Sequence, residues 1–260
     1  MSHSSSLQLE LPIDRDDSGA SPIMANDGAE AEDLAKLGGA LVINMGSATP
    51  ASISNHLQAL RAYNECGGPV LFDPVGAGAT GLRRTAVKQL MLGGYFHVIK
   101  GNYSEILTVS GSSGVQQKGV DSAKSDVPGL ERARLVKTLA SRERNVVIMT
   151  GEVDYLSDGL RTYSVTNGHR YLGQISGSGC TLGTTIASFI AVEKGDTLLA
   201  ALAGILMFEI AAERASRQSA VKGSGTFLPA FIDALSSIAT DAEGGNTAWI
   251  QSAKVELVDV

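Results

Sequence analysis

The chain has 260 residues, 43% of them hydrophobic, enough to fill the core of one large α/β domain, with two small domains as the other option. With 30 glycines and only 5% aromatic residues, it suits an α/β enzyme with tight turns better than a β-sandwich. A net charge of −6 without any run of Lys or Arg excludes a basic nucleic-acid or anionic-membrane surface, and two cysteines, Cys66 and Cys180, exclude a disulfide framework and fit a reducing, cytoplasmic setting.

Residues 1–18 are Ser- and Asp-rich and lack the apolar segment of a secretory signal; they are expected to be a disordered leader, with residues 19–260 forming one domain. GALVIN (39–44) is a continuous apolar run, as in a strand covered on both faces. Pro50 to Cys66 has Ile53, Leu57, Leu60 and Tyr63 on one helical face, and Gly67-Gly68 ends it. PVLFD (69–73) is a second buried strand, Arg83 to Leu92 a helix, FHVIK (96–100) a third strand and Tyr103 to Val109 a short helix. Residues 110–127 suggest a loop, Leu130 to Leu139 a helix and NVVIMT (145–150) a fourth strand.

The Asp-Gly pair in LSDGL (156–160), ahead of the alternating RTYSV (161–165), signals a hairpin. Helices are expected over Cys180 to Val192, Thr197 to Arg217 and Phe227 to Ile238. On the second of these, the end carrying Glu209, Glu213, Arg214 and Arg217 is expected to be solvated or at a subunit contact. KVELV (254–258) suggests an edge strand. The regular alternation from 39 to 150 implies a mostly parallel sheet. No apolar run reaches the ~18 residues of a membrane span.

Ligands of open parallel sheets bind beyond the carboxyl ends of the strands. Three strands end in polar residues plus glycine: Asp73 in DPVGAGAT, Lys100 in KGNYSEI and Thr150 in TGEVDYLSDG. Each alone also fits a plain strand-to-helix turn. In SGSGCTLGTTIASFIA (176–191), Gly177, Ser178 and Gly179 precede a helix, so consecutive N–H groups and the helix dipole favour an anion there. A simple glycine-rich cap is the alternative, and Cys180 is either a thiol tuned by the dipole or a small buried apolar residue. No P-loop and no Cys/His metal cluster occurs, and structural or surface roles are expected for His3, His56, His97 and His169.

Together, DPVGAGAT, IKGNYSEI, TGEVDYLSDG and GSGCTLG, in this order and spacing, resemble hydroxyethylthiazole kinase; GASPIMAN (19–26) and GSGTF (223–227) extend the match. GYFHVIKGN, and DPVGAGAT followed by an Arg pair, resemble the kinase half of the fungal bifunctional thiamine enzyme. The resemblance implies a ribokinase-like α/β fold with a C-terminal helical block. It implies a homotrimer or larger assembly with active sites at subunit contacts. The implied reaction is transfer of the γ-phosphoryl group of ATP, with Mg²⁺, to the primary alcohol of 4-methyl-5-(2-hydroxyethyl)thiazole. It assigns Met24, Gly46 and Gly177 to the thiazole, and Lys100, Asn102 and Thr150 to ATP. Asp73 and Glu105 fall to Mg²⁺ and phosphates, Gly177, Ser178 and Gly179 to an anion hole, and Cys180 to the place where most relatives of this fold carry an aspartate base.

Two rivals on the same fold, a hydroxymethylpyrimidine-phosphate kinase and a hydrate dehydratase, are expected to show Asp at position 180. One departure stands out: LQLELPIDRDD replaces the family's strand-and-helix entry to the thiazole site, so a core strand and part of the pocket are expected to be missing. The runner-up reading is therefore a truncated, catalytically impaired remnant that binds thiazole or nucleotide or assembles with a partner.

Overall fold

A computed structural model describes residues 7–10, 22–111 and 127–260. The chain opens with strands β1 (Leu7–Glu10) and β2 (Pro22–Ala25) and a short helix α1 (Ala31–Lys36). Strand and helix then alternate as β3 (Ala40–Asn44), α2 (Pro50–Cys66), β4 (Val70–Asp73), α3 (Gly81–Gly93), β5 (Val98–Asn102), α4 (Tyr103–Val109), α5 (Gly129–Glu143) and β6 (Val146–Thr150). A hairpin, β7 (Asp154–Ser157) and β8 (Thr162–Val165), leads to α6 (Ser178–Val192), α7 (Thr197–Ser216), α8 (Ser224–Glu243) and a last strand, β9 (Val255–Leu257). Most of the loop expected over 110–127 lies outside the described residues.

Local chemistry fixes these boundaries. Thr49 and Ser52 form a reciprocal capping box around Pro50, whose missing N–H costs nothing in the first turn of α2. Gly67, at φ 71°, closes the same helix in the left-handed conformation that side chains disfavour.

Among the described residues the strands form one nine-stranded sheet in the order β2-β1-β3-β4-β5-β6-β7-β8-β9. β3 to β6 are parallel, and the remaining pairs are antiparallel. Side chains alternate between the two faces with period two. Leu41, Ile43, Phe72, Ile99 and Met149 pack on one face with residues of α2, α3 and α5. Val42, Leu71, Val98, Ile148 and Leu156 pack on the other with residues of α6, α7 and α8. Burial on both faces is why β3 to β6 are apolar up to their carboxyl-terminal ends. Phe72 is fully buried and stacks on Phe96 with ring centroids 4.6 Å apart. Its truncation to Ala costs ~3–5 kcal/mol.

Two expectations are corrected. Leu7–Glu10, read as part of a disordered leader, form β1, inserted antiparallel between β2 and β3. The missing core strand is thereby supplied. LQLEL does alternate apolar and polar residues, but over only five positions next to a proline. The rest of 1–18 lies outside the described residues. The end of α7 is also not simply solvated: Glu209 and Glu213 are buried. Glu213 accepts hydrogen bonds from Asn167 (3.0 Å), Lys254 (2.8 Å) and Arg217 (3.1 Å), and so anchors the tail before β9. That tail does supply the expected edge strand, paired with β8.

Candidate active site

The parallel strands all point their carboxyl ends to one end of the sheet, and α6 begins there and packs against β3 and β4. Four elements thus deliver polar groups to one place. Asn44 ends β3, Asp73 ends β4, Lys100 lies near the end of β5, and Gly179 and Cys180 lie in the first turn of α6. Lys100 Nζ donates to Asp73 Oδ2 at 3.0 Å and to the Gly179 carbonyl at 2.7 Å. Asn44 Nδ2 donates to Asp73 Oδ2 and to Cys180 Sγ, each at 3.1 Å. Asn44 Oδ1 accepts from the Gly46 amide at 2.8 Å.

Asp73 and Lys100 are 2% and 3% exposed, so burial disfavours charge on both. It raises Asp73, with Lys100 pulling the other way. It also opposes charge on Lys100, but Asp73 and Glu105 outweigh it and hold the ammonium above its ordinary value. A raised acid favours a neutral pair and a raised ammonium favours an ion pair. The geometry is that of the ion pair: Asp73 Oδ2 receives two donors and Nζ faces two oxygen acceptors.

Glu105 completes the electrostatics without joining these bonds. It caps α4 reciprocally with Asn102: Glu105 Oε2 accepts from the Asn102 amide at 2.8 Å, and Asn102 Oδ1 accepts from the Glu105 amide at 3.0 Å. Its Oε1 accepts from the Gly76 amide at 2.8 Å, tying α4 to the turn after β4. Gly101 permits this approach, since a Cβ there would lie 2.9 Å from that of Glu105. Burial first, then the charge of Asp73, pushes Glu105 up to about 7. Cys180 is half-buried, and burial, then Asp73, raises its thiol above the ordinary range; it is a neutral thiol at neutral pH.

Gly177 opens α6 at φ 93°, and its carbonyl accepts from the Thr181 amide at 2.9 Å. Among the described residues, none of the backbone bonds around this turn uses the N–H of Gly177, Ser178 or Gly179. The first N–H groups of a helix have no acceptor within it and add to its positive pole. The Ser178 hydroxyl is committed inward, to the Leu172 carbonyl at 2.8 Å.

The other expected residues are spread around this cluster. Thr150 ends β6 in register with Asn102 of β5. Gly46 is held at both backbone ends, its carbonyl accepting from Arg83 Nη2 at 2.7 Å. Met24 stands apart on β2, 56% exposed, with β1 between its strand and β3. A cavity of about 270 Å³, lined by Tyr95, His97, Asn145 and Asp196 among others, lies at the amino-terminal ends of β5 and β6, away from this chemistry. Among the described histidines, His56 is buried in α2, and His97 and His169 each accept a backbone N–H.

Two residues of the site escaped the sequence reading. Asn44 ends the first buried strand, where the strand-end rule applied to β4, β5 and β6 would have found it. Arg83 binds the carbonyls of Met45 and Val75 at 2.6 Å as well as that of Gly46, stapling the turns after β3 and β4. Its signal was a basic residue in the first turn of a helix, the wrong end for the dipole unless carbonyls hold it.

The model of the hydroxyethylthiazole kinase family matches residues 17–241. The chain is 38% identical over 245 residues to the "Probable thiamine biosynthetic bifunctional enzyme" of Schizosaccharomyces pombe; the match takes in 92% of this chain but 46% of that protein, about half its length. It is similar to the solved hydroxyethylthiazole kinase of Pyrococcus horikoshii OT3, with 34% identity and a TM-score of 0.79, over 93% of this chain and 85% of the other. A ribokinase-like superfamily protein of Enterococcus faecalis, 12% identical, matches at a TM-score of 0.53 over 79% of this chain and 66% of its own, a likeness of fold alone.

Proposed function

The chain belongs to the hydroxyethylthiazole kinase family, and from that premise we propose that the strand-end cluster transfers the γ-phosphoryl group of ATP to the primary alcohol of 4-methyl-5-(2-hydroxyethyl)thiazole. The observation that carries this reading is the convergence of Asn44, Asp73, Lys100 and Cys180 on the mouth of the Gly177–Gly179 turn. Phosphoryl transfer asks a protein mainly to position the reactants and offset charge. The amides of Gly177, Ser178 and Gly179 are available donors for the transferring group, and fixed donors in a water-poor site act without reorganising. Lys100, buried and cationic, adds positive potential behind them. Asn102 and Thr150 flank Lys100 on the ATP side; Gly46 and Gly177 flank the alcohol.

Cys180 lies at the base position beside the acceptor alcohol. As a neutral thiol it accepts a hydrogen bond from the alcohol rather than its proton, which passes to an oxygen of the transferred phosphoryl group as the ester forms and ADP leaves; a loose transition state tolerates such weak base help. The Asn44 amide, donating to Sγ, fixes the orientation of the thiol.

Asp73 and Glu105 offer the hard oxygen donors that suit Mg²⁺, but both Glu105 oxygens already accept backbone amides. Among the described residues no group of three potential ligands could hold a metal unaided. That donor set fits an ion delivered with ATP, since Mg²⁺ is commonly held by one or two carboxylates plus substrate phosphates. Bound Mg²⁺ would neutralise phosphate charge.

Met24, exposed and outside the cluster, is assigned to the thiazole across a subunit contact in a homotrimer or larger assembly. Among the described residues no helix is long and apolar enough to cross a membrane; a cytoplasmic location is part of this proposal, as is a single catalytic domain over residues 19–260. A coupled assay of ADP release tests the reading. Release that depends on the thiazole alcohol is expected, whereas ATP binding without turnover would favour the impaired remnant.

A further inference from the structure

A pair of acids lies beneath the nucleotide-side loop and takes no part in the chemistry above. β6 ends at Thr150, and the chain turns through Gly151, Glu152 and Val153 into β7 at Asp154. The Gly151 amide donates to Asp154 Oδ1 at 2.8 Å and closes that turn. Asp154 is buried, and the carboxyl of Glu209, on the helix α7 that packs against β7, lies against its own.

Glu209 interrupts the apolar stretch Ala203–Ala212 of a helix that packs against the sheet. An apolar residue of similar volume would fill this place without the cost of desolvating an acid. Among the described residues no N–H or O–H donor meets Glu209 Oε2. That suits a carboxyl which itself carries the proton and donates to Asp154. Burial, then the charge of Asp154, pushes Glu209 up to about 11, and burial raises Asp154 to about 6. Near neutral pH the pair therefore holds one proton, on Glu209.

We propose that Glu209 is a positioning residue for ATP: it holds Asp154, Asp154 holds the Gly151 amide, and the fixed turn presents Thr150 to the nucleotide. The ATP side of this chain of contacts rests on the kinase reading.

The test compares Glu209→Gln and Glu209→Leu in the full chain. ATP affinity is measured by calorimetry with Mg²⁺, beside separate KM values for ATP and the thiazole alcohol. The amide of Gln can still donate to Asp154; Leu cannot. E209L is expected to raise the ATP Kd and KM about tenfold, the equivalent of one hydrogen bond to a charged group, with the alcohol KM within about twofold. E209Q is expected to stay within about threefold of wild type for both substrates.

Glu209→Ala, which leaves room for water, carries the same expectation if E209L does not fold. Unchanged ATP affinity in a folded E209L or E209A overturns the proposal. So does a parallel rise in both KM values, an E209Q no better than E209L, or failure of both E209L and E209A to fold, which would mark Glu209 as purely structural. ATP binding without turnover in the wild type would sink the kinase reading and still leave the role of Glu209 measurable; no ATP binding at all would sink both.

Discussion

Replacing Lys100 by Met removes the cation from an ion pair 3.0 Å long whose side chains are 4% and 2% exposed. Met has similar length and no charge, so the change is mainly electrostatic. Asp73 keeps the Asn44 donor and loses the ammonium. Removing one partner of a buried pair costs ~3–5 kcal/mol. The aspartate can limit that loss by taking up a proton, at about 1.4 kcal/mol per unit by which the pH exceeds its unfolded pKa. The deficit therefore depends on pH. A carboxyl raised in the folded state contributes most below its unfolded pKa and loses stability as pH rises through its folded pKa.

K100M is thus expected to lose about 1–2 kcal/mol near pH 5 and ~3–5 kcal/mol near pH 8 relative to wild type. Urea unfolding followed by circular dichroism at both pH values reads this difference, and Asp73→Asn in the K100M background should recover most of it. A deficit below about 1 kcal/mol at pH 8, or one that does not grow with pH, would refute an ionised Asp73 held by Lys100.

Cys180→Asp is expected to retain or raise kcat, because a carboxylate is a stronger base than the neutral thiol and Asn44 can still donate to it; complete loss in a folded variant, by steady-state kinetics, would reject this. Glu105→Gln places an amide nitrogen against a backbone N–H and is expected to cost ~1–3 kcal/mol of stability. It should also raise the Mg²⁺ concentration needed for half-maximal rate; an unchanged Mg²⁺ titration contradicts that. Glu209, raised to about 11, binds a proton in the fold that the unfolded chain releases above its ordinary carboxylate pKa. Its contribution therefore falls by up to about 1.4 kcal/mol per pH unit as pH rises through neutrality. Glu209→Gln should flatten that slope between about pH 6 and 9 in chemical denaturation, and parallel wild-type and E209Q profiles would count against it.

The strands and helices from Ala40 to Thr150 were legible because each strand is covered on both faces and each helix shows its stripe. Helices α2 and α4 begin and end where their cap residues and periodicity indicate. The site was legible at Asp73, Lys100 and Cys180 because strand ends and a glycine turn are local signals. What stayed hidden depends on distant partners. Glu213 seemed destined for water until Asn167 and Lys254, 46 and 41 residues away, met it. Glu209 looked the same, because nothing nearby in sequence announces Asp154. Asn44 was hidden differently: it closes an apolar run like a spent strand end, and its meaning rests on Cys180, 136 residues later. Glu105 gave a partial signal, since N-x-x-E reads as a capping box as readily as a metal ligand.

The phosphoryl group itself offers the most direct test. Full-length chain, ATP, Mg²⁺ and 4-methyl-5-(2-hydroxyethyl)thiazole are incubated and followed by phosphorus NMR, with Lys100→Met in parallel. A phosphomonoester signal growing in step with ADP is expected from wild type and is expected to form about a hundredfold more slowly in K100M. ADP with inorganic phosphate and no ester, or ester formed equally fast without Lys100, contradicts a phosphotransfer centre at the ends of β3, β4 and β5.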